Sequence, residues 1–336
     1  FGVTTLIIAL ISYCCAPIVD TQRSWFYVMV VVTVLLFTEL KHTFTELAQR
    51  MKNDEMITLA KFLAISGIIL PMLPNENLIP DINLTPYTVW LATVVVSGIS
   101  YLSYLLRRYV FHESGILVSG IIGGLYSSTA TISVLARKSR KAPAQEAPEY
   151  AAAMLLAVSM MFLRFLILIG IFSKEILAAI YPYLLIMSLV TAGVAWYLHR
   201  KRKQVPSTDE EAEEEDSSNP LEFKVALIFA VLFVIFTIVT HYTLLYTGTG
   251  GLNVLSFIAG LSDITPFILN LLQGSGVAVM VVTACCMQAI VSNIAVNMCY
   301  ALFFAGGKSP LRRWVLRGFG GVIAINVCLL LFFYLL

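Results

Sequence analysis

The chain has 336 residues, 59% hydrophobic and 12% charged, with a mean hydropathy of +0.85. A soluble globular domain carries roughly twice that share of charge, so a water-soluble enzyme or binding module is excluded. The net charge of +2 sits in loops and makes no basic face, which argues against a nucleic-acid partner.

In chain order, apolar spans fall at about 2–18, 25–40, 56–73, 86–106, 115–136, 150–172, 177–198, 221–242, 250–272, 277–304 and 313–335. Each approaches the ~20 residues that one helix needs to cross ~30 Å of hydrocarbon. The chain opens on Phe1 without a signal peptide and reads as a fragment lacking its native start. Cys14, Cys15, Cys285, Cys286, Cys299 and Cys328 all lie in apolar runs and read as small buried hydrophobes. Segment 41–55 is a polar, helix-prone connector. Segment 200–220 is a basic patch followed by an acidic low-complexity run, expected to be a disordered linker.

Two spans depart from the pattern. In 115–138 a Gly124-Leu125 pair is followed by Tyr126-Ser127-Ser128-Thr129. In 251–273 Gly260-Leu261 is followed by Ser262-Asp263-Ile264-Thr265. Aligning them pairs Ser127 with Asp263 and Thr129 with Thr265. Neighbouring spans correspond too: 86–106 with 221–242, 150–172 with 277–304, and 177–198 with 313–335. Matched broken helices in two halves point to a transporter site.

The basic residues set the direction. Arg107 and Arg108 precede the first odd span, and Arg137, Lys138, Arg140 and Lys141 follow it. A full crossing would strand one cluster outside, against the positive-inside rule. A re-entrant hairpin keeps both inside. Lys41, Arg50, Lys52, the run 200–203, Lys308, Arg312 and Arg313 then also lie inside. The outer loops 74–85, 173–175, 241–250 and 273–276 carry one Lys in all. The expectation is an all-α integral membrane fold of about nine transmembrane helices plus two re-entrant helical hairpins in inverted repeats. Its parts are 1–55, the first repeat 56–199 with hairpin 115–138, the cytoplasmic linker 200–220, and the second repeat 221–336 with hairpin 251–273.

The hairpin tips carry the candidate chemistry. A helix starting inside the membrane exposes unpaired N–H groups and the positive end of its dipole. Ser127, Ser128 and Thr129 start one such arm, and Ser262, Asp263 and Thr265 the other. Gly123, Gly124 and Gly260 suit the turns. These residues form a solute or ion site, or they merely N-cap two half-helices. A carboxylate at this depth costs ~3 kcal/mol and is rare without a task. Asp263 is therefore a carrier of the coupling proton or a Na⁺ ligand, with a dipole-stabilised cap as the alternative. Arg164 binds an anionic group, pairs with Asp263, or makes a structural salt bridge. Gln288, Ser292, Asn293 and Asn297 place amides on the span after the second hairpin, as ligands or as glue between helices. Ser97, Gly98 and Ser100 read as small-residue packing, with a hairpin as the candidate neighbour. No zinc spacing, phosphate loop or nucleophile–base pair is visible, so no cofactor, resident metal or enzymatic activity is expected.

Several motifs carry a family resemblance. Phe1-Gly2-Val3-Thr4-Thr5 resembles a Gly-Leu-Thr-Thr segment late in the MgtC/SapB-type membrane domain. From about Leu40 onward the chain is similar to the uncharacterised membrane domain often fused behind that module. The likeness rests on Leu73-Pro74, Val96-Ser97-Gly98-Ile99-Ser100, residues 123–131, Asn219-Pro220-Leu221-Glu222 and residues 259–265. It implies a multi-pass protein of the bacterial inner membrane and supplies no substrate. The functional expectation is a secondary transporter of a small solute, an anion among the candidates, coupled to H⁺ or Na⁺. Its partners would be lipid, the solute and a second copy in a homodimer. The alternative is a regulatory scaffold that docks on another membrane protein without transport.

Overall fold

The computed structural model describes residues 53–79, 82, 84–106, 115–201, 223–273, 277–307 and 309–335, with residues 9, 13 and 32 besides. Apart from those three residues, the spans expected at 2–18 and 25–40 lie outside them, as do residues 202–220 of the linker and the expected basic pair Arg107 and Arg108. The chain forms two compact units, Phe1–Lys61 and Phe62–Leu336. Apart from one isolated bridge between Ile79 and Ile82, the regular structure among the described residues is helical.

Among the described residues the helices of nine residues or more are α1 (Asn53–Ala64), α2 (Pro86–Leu105), α3 (Ile116–Lys138), α4 (Ala147–Phe172), α5 (Lys174–Arg200), α6 (Phe223–Ala259), α7 (Ile264–Leu272), α8 (Val279–Ala305) and α9 (Leu311–Leu335). Seven of them, all but α1 and α7, are long and apolar enough to cross a membrane. The protein is a multi-pass helical membrane protein.

Local chemistry explains the boundaries. Thr85 starts α2: its Oγ1 accepts the Thr88 N–H at 3.1 Å, Thr88 returns the bond, and Pro86 takes the first turn. Ser173 alone joins α4 to α5, and its Oγ accepts the Ile176 N–H. So short a joint makes the two helices antiparallel neighbours. Ser159 and Ser188 lock them, each hydroxyl donating to the other's carbonyl, at 2.9 and 3.2 Å. Tyr183 donates to Asn326 at 2.6 Å and ties α5 to α9.

Two long helices are broken inside. Ser127 in α3 is extended at φ −157°, ψ 109°. In a straight helix residues eight apart stand about 12 Å apart. Yet a Cβ on Gly123 would overlap the Thr131 side chain, so the chain doubles back at Ser127. The second break is Gly248 in α6, at φ 63°, ψ −153°, a conformation open to glycine. A Cβ on Gly251 would stand 2.9 Å from the Thr243 methyl, eight residues earlier. Here too the chain reverses. The outer loop expected at 241–250 is thereby reduced to a glycine break. Helix persists to Thr247, whose hydroxyl bonds the Thr243 carbonyl, while Tyr242 stacks on Tyr246.

Residues 249–259 then run to a bend at 260–263, and α7 returns. Asn270 near the end of α7 donates to Thr240 Oγ1 at 2.9 Å, beside the level at which the arm began. The described cysteines divide: Cys285 and Cys286 are buried as expected, whereas Cys299 and Cys328 face outward on apolar helix surfaces.

Gly120 and Gly124 let the first arm of α3 lie directly on the α4 backbone. A Cβ on either would overlap Ala153 or Ala157 main-chain atoms, which cannot yield as a side chain can. We expect Gly124→Ala to lower stability by about 1–3 kcal/mol, read as a fall in melting temperature. Gly193→Ala, where a Cβ meets open space, should leave it unchanged.

Candidate functional site

Helix α8 is the most deeply buried of the seven long helices and serves as a ruler. Near its start, Cys285 Sγ donates to Asn253 Oδ1 at 3.5 Å. Further along, Ser292 Oγ donates to the Phe257 carbonyl at 2.8 Å. Asn293 Nδ2 then reaches the Gly260 and Ser262 carbonyls, both at 3.3 Å. The arm 249–259 and its bend therefore run along the first half of α8. The other end meets α3. Arg140 donates to the Phe303 carbonyl at 3.2 Å, and Arg137 lies 4.5 Å over the Phe304 ring. From 285 to 303 is about 27 Å, so the two folded-back segments are anchored at opposite ends of one helix.

Their bends meet at one cavity of about 370 Å³. Its walls include Ser127, Ser128 and Thr129 of the first bend and Ser262, Asp263 and Thr265 of the second. Arg164 of α4 and Asn293 of α8 also line it. Asp263 and Ser262 are exposed, Ser127 and Thr129 half-buried, Ser128 and Thr265 buried. The second bend is thus the more open wall.

The bends are built alike. Ser127 Oγ accepts the Ala130 N–H at 3.3 Å; Asp263 Oδ1 accepts the Thr265 N–H at 3.0 Å. Both residues cap the N-terminus of a second arm. Arg164 Nη1 donates to the Tyr126 carbonyl at 2.8 Å, and Asn293 donates to that of Ser262. Tyr126 and Ser262 are each two residues past the paired glycines Gly124 and Gly260. The carbonyl at the same place in each bend is therefore held by a side chain from the next long helix. Arg164 thus sits at the negative end of an arm, and Asp263 at the positive end of α7, where the helix dipoles favour each charge. They are the only charged residues lining the cavity among those described.

The remaining predicted residues are distributed around this site. Gly124 lines the cavity, Gly123 packs on Thr131, and Gly260 packs on Ala289 and Ser292 of α8. Asn297 lies one turn behind the cavity and donates to Asn293 Oδ1 at 3.1 Å, orienting that amide. Gln288 is elsewhere. It donates to Tyr334 Oη, which donates to Asn253 Oδ1, a separate polar cluster joining α6, α8 and α9. At 3.6 residues per turn, Gln288 and Asn293 are rotated about 140° apart, so one cavity cannot take both. Ser97 and Ser100, read from sequence as packing, are cavity residues, as are Tyr126 and Tyr300. The i, i+3 spacing of the two serines is the signal that marks a shared face. Among the described residues no three His, Cys, Asp or Glu side chains converge as metal ligands.

Cap and charge can be separated at Asp263, because asparagine caps as well as aspartate. Asp263→Asn should melt like the wild type, whereas Asp263→Ala should lose about 1 kcal/mol, both measured by thermal unfolding in lipid nanodiscs.

Comparison with known proteins gives a family without an assigned activity. An uncharacterized protein of Aquifex aeolicus (strain VF5) is 26% identical over 201 residues, spanning 57% of this chain and 84% of that protein. No solved structure matches the chain. Residues 94–305, more than half the chain and including both bends, Arg164 and Asn293, match the family described as Domain of unknown function (DUF4010), and the chain belongs to that family.

Proposed function

We propose that the protein is a secondary active transporter of a small solute, coupled to H⁺ or Na⁺, with its site in the cavity between the two bends. The observation that carries this reading is the convergence of two helix breaks, one carboxylate and one guanidinium on a single cavity. In this reading α3 is one re-entrant hairpin, and 249–272 is the other. The arms of α3 are about 16 Å long, half the hydrocarbon thickness. Asn293, which holds the second bend, lies at the middle of α8. The opposed anchoring along α8 supports an inverted repeat.

Charge supports the orientation. The end of α8 nearest Arg137 and Arg140 leads through Lys308 to Arg312 and Arg313, while 273–278 at its start holds no charge. The basic end faces the cytoplasm, together with the linker 200–220, in a bacterial inner membrane. The MgtC/SapB-type module belongs to the same proposal and rests on residues 1–5, ahead of the family match. A scaffold would call for dry, packed tips; an open polar cavity favours transport.

In proteoliposomes with imposed pH or Na⁺ gradients, at least one solute of a broad screen should accumulate. Asp263→Asn should cut that gradient-driven rate about tenfold or more, the loss of one charge-assisted interaction. If no gradient drives flux and the variant behaves as wild type in cells, the transport reading falls. Cysteines placed at 138–141 should react with impermeant reagents from the cytoplasmic side; labelling only from outside would contradict the hairpin topology.

A further inference from the structure

The two bends differ at matched positions, and the difference is a swap. Each bend has a cap for its second arm and a donor that holds the carbonyl at its turn. At the first bend the cap is neutral Ser127 and the donor is charged Arg164. At the second the cap is charged Asp263 and the donor is neutral Asn293. Each half shows that a neutral residue suffices for the role that a charged residue fills in the other. Neither charge is required by the backbone it serves.

What the charges do share is the cavity. Arg164 spends one N–H on Tyr126, and its Nε has no hydrogen-bond partner. Ser97, Ser100, Ser127, Ser128 and Thr129 line the same cavity. Met161, Phe165, Phe229 and Leu232 supply apolar walls, which weaken the screening of charge by water. Asp263 faces the same space from the more open side.

We infer that the cavity recognises a solute with an oxyanion, seated against Arg164 and the first-bend hydroxyls, while Asp263 holds a positive partner. The oxyanion is a carboxylate or phosphate group. The positive partner is the coupling cation or an ammonium group on the solute itself. The inference rests on the transport proposal above and names the chemistry of its cargo.

The test uses the full chain in lipid nanodiscs and reads ligand-dependent melting temperature, without flux. The probes are two- to six-carbon carboxylates, inorganic phosphate and zwitterionic amino acids, with glucose and glycerol as uncharged controls. Each is run in sodium and in choline buffer. At least one oxyanion probe should raise the melting temperature, and Arg164→Gln should weaken its apparent affinity about tenfold or more. The glutamine keeps a donor for the Tyr126 carbonyl, as Asn293 does for Ser262, and its melting point without ligand reports folding. Arg164→Lys should recover part of the affinity.

Asp263→Asn should abolish the sodium dependence if the cation is free. It should abolish the preference for amino acids over plain carboxylates if the cation belongs to the solute. Binding by uncharged probes alone, no binding by any charged probe, or affinity indifferent to Arg164→Gln overturns the inference. Oxyanion binding that follows the predicted pattern, with no gradient-driven flux, leaves the site standing and defeats the transport reading. Flux of an uncharged solute that survives Arg164→Gln does the reverse.

Discussion

Breaking a helix inside an apolar bundle frees backbone N–H and C=O groups that no water is there to satisfy. Each costs several kcal/mol if left alone. This protein breaks its chain at Ser127 and again at 260–263, and much of the site follows from how those groups are satisfied. A hydroxyl or carboxylate accepts the free N–H of each new arm, and an Arg or Asn from the following helix donates to the freed carbonyl. The partners that satisfy the breaks are also the polar wall of the cavity. Structural and ligand-facing roles are therefore carried by the same few side chains.

Close packing makes the arrangement exact enough to matter. Glycines bring the first arm of α3 onto the α4 backbone, and Gly260 does the same against α8. With side chains out of the way, Arg164 and Asn293 reach carbonyls across the joint. Asn297 fixes the Asn293 amide from one turn behind. Small residues at helix contacts serve the same purpose widely in membranes, where lipid supplies no hydrophobic drive between helices.

The broken helices were legible because glycine followed by small polar residues cannot continue an apolar span, and the pattern occurred twice. Of the basic residues from which an opposed pair of hairpins is read, Arg137 and Arg140 stand against one end of α8. The reversal at Gly248 was not. Tyr242 to Thr247 mix two tyrosines and two threonines with Leu244 and Leu245, a composition that suits both an interfacial loop and the last turns of a helix, and only the positive φ at Gly248 separates them. Gln288 went astray through helix phase: five residues from Asn293, it points to Tyr334 and α9 rather than to the cavity. Ser97 and Ser100 looked like packing because what stands opposite a small residue depends on tertiary contacts. Here that is the cavity and the first bend.

The central claim is that both bends lie inside the membrane and face one another. Electron cryomicroscopy of the chain in lipid nanodiscs measures this directly, because the density shows the lipid belt and the helix paths together. The account predicts α3 folding back at Ser127, with that bend and the one at 260–263 near the middle of the hydrocarbon belt and open to one polar cavity. An α3 running straight through the belt, or either bend at the level of the headgroups, would contradict it.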